Sequence, residues 1–95
     1  MSKAYTETLQ ETGDVTTTAS AVPSLAGDPI DTLEISCALD SQNNLLVSID
    51  GSSAWHDLAA GDSFAWSFRG QSIREIFIKA KAGSASYHLI FDRSA

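Results

Sequence analysis

The chain has one cysteine, Cys37, in 95 residues, so no disulfide can form within it. A domain of this length buries roughly two thirds of its unfolded surface, enough for one modest core without staples. Cys37 shares the apolar parity of its neighbours, which fits a buried, inert thiol. Nothing here demands an oxidising compartment. Long apolar runs are also missing. None approaches the ~20 residues needed to span a bilayer, and the first residues, Met1 to Glu7, carry no apolar signal-peptide core. The expectation is a protein without membrane partners, made and kept in a cytoplasm unless it travels as part of a larger object.

Basic residues are scarce: six against twelve acids, a net charge of −6. Apart from Lys3, all bases lie from Arg69 onward, whereas residues 1–31 carry five acids. Such a chain repels phosphate backbones, so no nucleic-acid partner is expected. Net acidity ordinarily serves solubility; docking of an acidic arm on a basic partner is the sharper reading.

Catalytic and metal-binding patterns are missing as well. His56 stands beside Asp57, but adjacent residues do not make a triad, and no G-x-S-x-G nucleophile motif accompanies them. Two scattered histidines and one apolar-parity cysteine are too few metal ligands. Asp50, Asp57 and Asp62 are spaced too irregularly for a calcium loop. Gly51, Gly61, Gly70 and Gly83 fall at turns rather than in a phosphate loop. Neither an enzyme, nor a cofactor, nor a metal is expected.

Helical periodicity is lacking too, and in its place stands alternation from Leu33 to Phe91. Leu33, Ile35, Cys37 and Leu39 share one parity. The pattern recurs at Leu45-Val47-Ile49, Phe64-Trp66-Phe68, Ile76-Ile78-Ala80 and Tyr87-Leu89-Phe91. A period of two puts side chains alternately toward core and solvent. Strands are predicted over 32–40, 45–50, 63–68, 72–81 and 86–91, with a short irregular segment at 53–58. Ser41 to Asn44 and Ala82 to Ala85 read as hairpin loops. The Ile76-Phe77-Ile78 triplet implies burial on both faces, or a bulge near Arg74-Glu75. His88 takes the solvent parity.

The fold class is all-β: a small antiparallel β-sandwich or barrel with an extended N-terminal arm. Residues 1–31 form the acidic arm or linker and residues 32–95 the β-sandwich domain. Thr6 to Gln10 and Asp14 to Thr18 offer short strands, and Pro23 and Pro29 favour extended chain between them and Thr32. The arm packs either on its own domain or on a neighbour's. Its few apolar residues, Val15, Val22 and Leu25, together with Trp55 and His56, are the expected partner contacts. Trp55 fits no clean strand face, which leaves it to cap a barrel end, to meet a protein, or to stack on a sugar.

The segment from Val47 to Ser63 resembles a module of tailed-bacteriophage virion proteins. A strand ends in an Asp50-Gly51 turn, followed by Trp55, Leu58, a Gly61-Asp62-Ser63 turn and an apolar strand. The Ile76 to Ala80 strand and the Gly83-Ser84 turn continue the likeness, which covers about residues 32–93. The resemblance implies a non-enzymatic structural subunit of a virion, such as capsid decoration, cement, head fibre or head–tail accessory protein. It implies partners among capsid or tail subunits, self-association as a homo-oligomer, and assembly in the bacterial host cytoplasm. A carbohydrate- or receptor-binding module is the alternative.

Overall fold

Alternation becomes two sheets. The computed structural model describes residues 6–24, 27, 29–52, 54–68 and 71–94, with side chains undescribed at 6, 7 and 94. Eight strands lie among them: β1 (Thr6–Val15), β2 (Ser20–Val22), β3 (Ile30–Cys37), β4 (Leu45–Ser48), β5 (His56–Leu58), β6 (Ser63–Ser67), β7 (Ile76–Ala80) and β8 (Ala85–Ser94). They form two four-stranded sheets, ordered β1-β8-β3-β6 and β2-β7-β4-β5. One rule governs the pairing: β1 with β8, β2 with β7, β3 with β6, β4 with β5, all antiparallel. The chain is a long hairpin, closed at β4–β5 and wound into two layers. This is the jelly-roll form of the β-sandwich.

The core lies where the predicted parity puts it. Leu33, Ile35, Cys37, Tyr87, Leu89 and Phe91 point inward from the first sheet, and Leu45, Val47, Ile76, Ile78 and Ala80 from the second. Ile35, Leu45, Val47, Ile76, Ile78 and Leu89 have no exposed surface. A register shift between Ile30 and Thr32 loops one extra residue out of β3, a bulge that sharpens the local twist.

Four local expectations change. The turns near 41–44 and 82–85 are real, but β3 and β4 lie in different sheets, as do β7 and β8. Neither is a hairpin; each is a corner between layers. Ser41 pins both corners together. Its hydroxyl accepts from the Ser86 amide at 3.0 Å and donates to the Asn43 carbonyl at 2.7 Å. Leu39 keeps the apolar parity but is 86% exposed, because β3 stops at Cys37 and Ser41 N–H closes a turn on the Ala38 carbonyl. Ile49, also of apolar parity, lies one residue beyond β4 and is exposed.

The predicted arm is part of the sandwich between residues 6 and 22. β1 pairs with the whole of β8, from Thr6 opposite Ser94 to Val15 opposite Ala85. The chain then crosses to the second sheet, where β2 pairs with β7. Leu9, Val15 and Val22 supply the apolar contacts that hold it there. Of the alternatives for the arm, packing on its own domain is the one observed.

The Ile76-Phe77-Ile78 triplet is covered on both sides. Ile76 and Ile78 face the core, and Phe77 is half-buried beneath the loop after β4. Gly51 lies against the Phe77 ring with φ +77°; a Cβ there would sit 2.7 Å from the ring's Cγ. Only glycine meets both demands.

Candidate assembly interface

The sandwich has four sheet edges, and they differ in what guards them. An unguarded edge presents free N–H and C=O groups to any passing strand, so natural sheets shorten, charge or twist their edges. β2 has three residues and is followed by Pro23, which has no N–H to offer. β5 also has three residues, and Asp57 is exposed on it. β1 is long, but it points a carboxylate inward: Glu11 is paired with Leu89 and shares the core-facing side of the sheet. The Glu11 carboxylate accepts from Tyr87 Oη at 2.6 Å and from the Ser24 amide at 2.8 Å, with Ser24 Oγ at 3.2 Å. Burial, and then the bond to Glu11, push the Tyr87 phenol well above its ordinary value.

β6 has none of these devices. Its sequence, Ser63-Phe64-Ala65-Trp66-Ser67, contains no charge and no proline, and among the described residues it pairs on one side only, with β3. Its core-facing side chains are aromatic. They run in a ladder with the ring of His56 from β5. His56 lies 4.1 Å from Phe64, Phe64 4.4 Å from Trp66, and Trp66 6.0 Å from Phe68. Phe68 is buried, but Phe64, Trp66 and His56 remain half-exposed, because the three-residue β5 is too short to roof β6. A partly open aromatic seam beside an unguarded edge is the part of this surface best suited to another polypeptide.

The outer face of the first sheet is different. Apart from Ile90 and Ala65 its side chains are polar, and several bond one another across the strands. The Asp92 carboxylate accepts from the Thr8 and Thr32 hydroxyls at 2.7 and 2.9 Å. Ser86 donates to Asp14 at 2.6 Å, and His88 lies 3.2 Å from the Gln10 amide oxygen. His88 thus faces outward, as its parity implies.

Of the residues expected to touch a partner, His56 lies in the seam; its packing on Phe64 was invisible while β5 and β6 read as separate segments. Val15 and Val22 are buried in this subunit's own core at 7% and 2% exposure, so their expected partner role is corrected by the packing of β1 and β2. Leu25 lies outside the described residues. Trp55 is half-buried with the Lys79 ammonium 4.3 Å from its ring centroid, on a face where a sugar would stack. It sits on the outer side of the second sheet, away from the seam. Asp57 bonds Lys81 Nζ at 2.7 Å and Asn44 Nδ2 at 2.9 Å, and these bonds, Lys81 first, lower its carboxyl below the ordinary value. Among the described residues no cluster of His, Cys, Asp or Glu is arranged to hold a metal.

Sequence comparison finds no matching family model and no matching curated protein. The fold itself has a solved counterpart. A protein of the Bacillus endospore appendages, described as forming a family of disulfide-linked pili, superposes with a TM-score of 0.55 at 11% identity, covering 99% of this chain and 90% of that one. The Yersinia pseudotuberculosis-derived mitogen superposes with a TM-score of 0.44 at 13% identity, covering 90% and 84%. At such identities the first likeness is one of fold.

Proposed function

We propose that this chain is a non-enzymatic structural subunit that works through protein–protein contact and self-association, as a component of a bacteriophage virion. The single observation carrying the reading is the seam at β6, where an unguarded edge lies beside half-exposed Phe64 and Trp66. Two further points support it. The Val47 to Ser63 segment resembles a module of tailed-bacteriophage virion proteins, and a protein of the same fold belongs to appendages described as forming pili. Disulfide linkage is not part of the proposal. The one cysteine, Cys37, is 1% exposed, and its thiol points at the Asn43 carbonyl.

The test is the state of the purified chain. Sedimentation velocity and negative-stain microscopy across roughly 1 μM to 1 mM, a span of about 4 kcal/mol in association free energy, should show a dimer or a larger regular assembly unaffected by reductant. A chain that stays monomeric throughout overturns the self-association reading.

A further inference from the structure

We propose that β6 is a self-complementary docking strand: β6 of one copy pairs antiparallel with β6 of a second copy about a twofold axis through Ala65. This rests on the self-association reading and names the surface that carries it.

Backbone direction comes first. Phe68 N–H donates to the Asp31 carbonyl at 2.7 Å, and Cys37 N–H to the Asp62 carbonyl at 3.0 Å. Between them Leu33 faces Trp66 and Ile35 faces Phe64. In an antiparallel ladder the hydrogen-bonded pairs alternate. Asp62, Phe64, Trp66 and Phe68 therefore turn their backbone groups toward β3. Ser63, Ala65 and Ser67 turn theirs toward the open edge.

The side chains then decide the occupant. Ser-Phe-Ala-Trp-Ser reads almost the same in both directions. Centred on Ala65, antiparallel pairing sets Ala65 against Ala65 of the second copy and Ser63 against its Ser67. These are the residues whose backbone groups face outward, so the three pairs exchange about six hydrogen bonds. Phe64 meets Trp66 of the other copy at the alternate positions, where cross-strand side chains approach most closely. Both aromatics lie on the core side, so the two half-exposed seams close on each other. No charge lies on β6, so a chain of net charge −6 brings no like charges face to face along this strand. The β1-β8-β3-β6 sheet of each copy joins its counterpart in one continuous sheet across the axis, an isologous contact that closes at two copies.

Two measurements test this on the full chain. Amide exchange by NMR, compared between dilute and concentrated samples, should show the Ser63, Ala65 and Ser67 amides slowed roughly tenfold or more on association. Phe64 and Trp66 amides, already bonded to β3, should change little. In the second, Ala65→Lys and Ala65→Glu each set like charges opposite one another at the axis. Ala65 is exposed and faces Glu34 on β3, so Ala65→Lys should keep the wild-type circular dichroism and stability, and Ala65→Glu should keep its strands at a small cost in stability. Each alone should weaken the dimer at least about tenfold, and an equimolar mixture should restore it as a mixed pair. Association of the wild type without slowing at Ser63, Ala65 and Ser67, or undiminished association of both variants, overturns the β6 pairing while leaving self-association standing. A wild type monomeric at every concentration overturns both.

Discussion

Tyr87→Phe removes one oxygen and tests how the β1 edge is held. The Tyr87 hydroxyl donates to Glu11 at 2.6 Å, and the same carboxylate holds the Ser24 amide beyond β2. One carboxylate thus ties β8, β1 and the chain leaving β2, across the gap between the two sheets. A hydrogen bond to a charged group contributes about 1.5–3 kcal/mol. Glu11 is only half-buried and keeps its Ser24 donors, so water replaces part of the loss and the low end, about 1.5 kcal/mol, applies. For a domain of this size that lowers Tm by about 6–12 °C. The pH dependence supplies a second readout. The folded phenol titrates above its unfolded value of 10.0, so the folded state holds the proton more tightly. The contribution is fully present below that value and is lost as pH rises beyond it. Thermal melts followed by circular dichroism at pH 7 and through the alkaline range, on wild type and Tyr87→Phe, measure both. A variant within about 0.3 kcal/mol of wild type at pH 7, below the worth of an ordinary hydrogen bond, refutes the clamp. So does an alkaline loss of stability equally steep in both proteins.

Three further outcomes are expected. Gly51→Ala places a Cβ 2.7 Å from Phe77 Cγ at φ +77°; urea denaturation should show a loss of about 2–3 kcal/mol, from left-handed strain and displacement of the ring. Leu89→Ala empties a fully enclosed site facing Ile35 across the ladder and should cost about 2–5 kcal/mol on the same assay. Asp57, its carboxyl lowered mainly by Lys81, contributes stability above its unfolded value of 3.8 that is lost as pH falls through the lower folded value. Asp57→Asn should therefore flatten that acidic limb of a pH–stability curve, and an unchanged limb would show that the surface pair contributes nothing.

Inward residues were legible in the sequence because burial has a period of two whatever the strand order. Ile35, Val47, Ile78 and Leu89 are core by parity alone, and they are core in the fold. The partner of each strand was not legible. Thr6 pairs with Ser94 and Val22 with Ile76, and no local pattern announces a contact between chain ends. Turn residues at 41–44 report that the chain reverses, not whether the next strand joins the same sheet. Glu11 misled for a related reason. A carboxylate on the inward side of a strand breaks alternation at Glu11, so the sequence offers two short pieces, 6–10 and 14–18, within an arm, where the fold has one continuous edge strand. The seam at His56, Phe64 and Trp66 was half visible. Aromatic parity marked Phe64 and Trp66 as core, but their partial exposure comes from the shortness of β5, a property of the opposite sheet.

The turns of the Val47 to Ser63 segment have a local physical account, and that account shifts where function is to be sought. Ser48, fully buried, donates to Asp50 at 2.9 Å and accepts from the Gly51 amide at 3.1 Å, while Asp50 accepts from the Ser52 amide at 3.0 Å. This closes the loop that lays Gly51 on Phe77. Gly61, at φ +88°, donates to the Cys37 carbonyl at 2.8 Å, and Asp62 accepts from the Ala59 amide at 3.2 Å. That turn carries the chain from β5 in one sheet to β6 in the other. Asp50, Gly51, Gly61 and Asp62 are thus occupied in closing the bend of the wound hairpin, whereas Asp57 between them bonds Lys81 and Asn44. Beside its resemblance, the motif therefore reports how β4, β5 and β6 are joined. The surface on which the proposed self-association rests lies just past its end, in five uncharged residues whose outward backbone groups and half-exposed aromatics line the edge that the bend delivers.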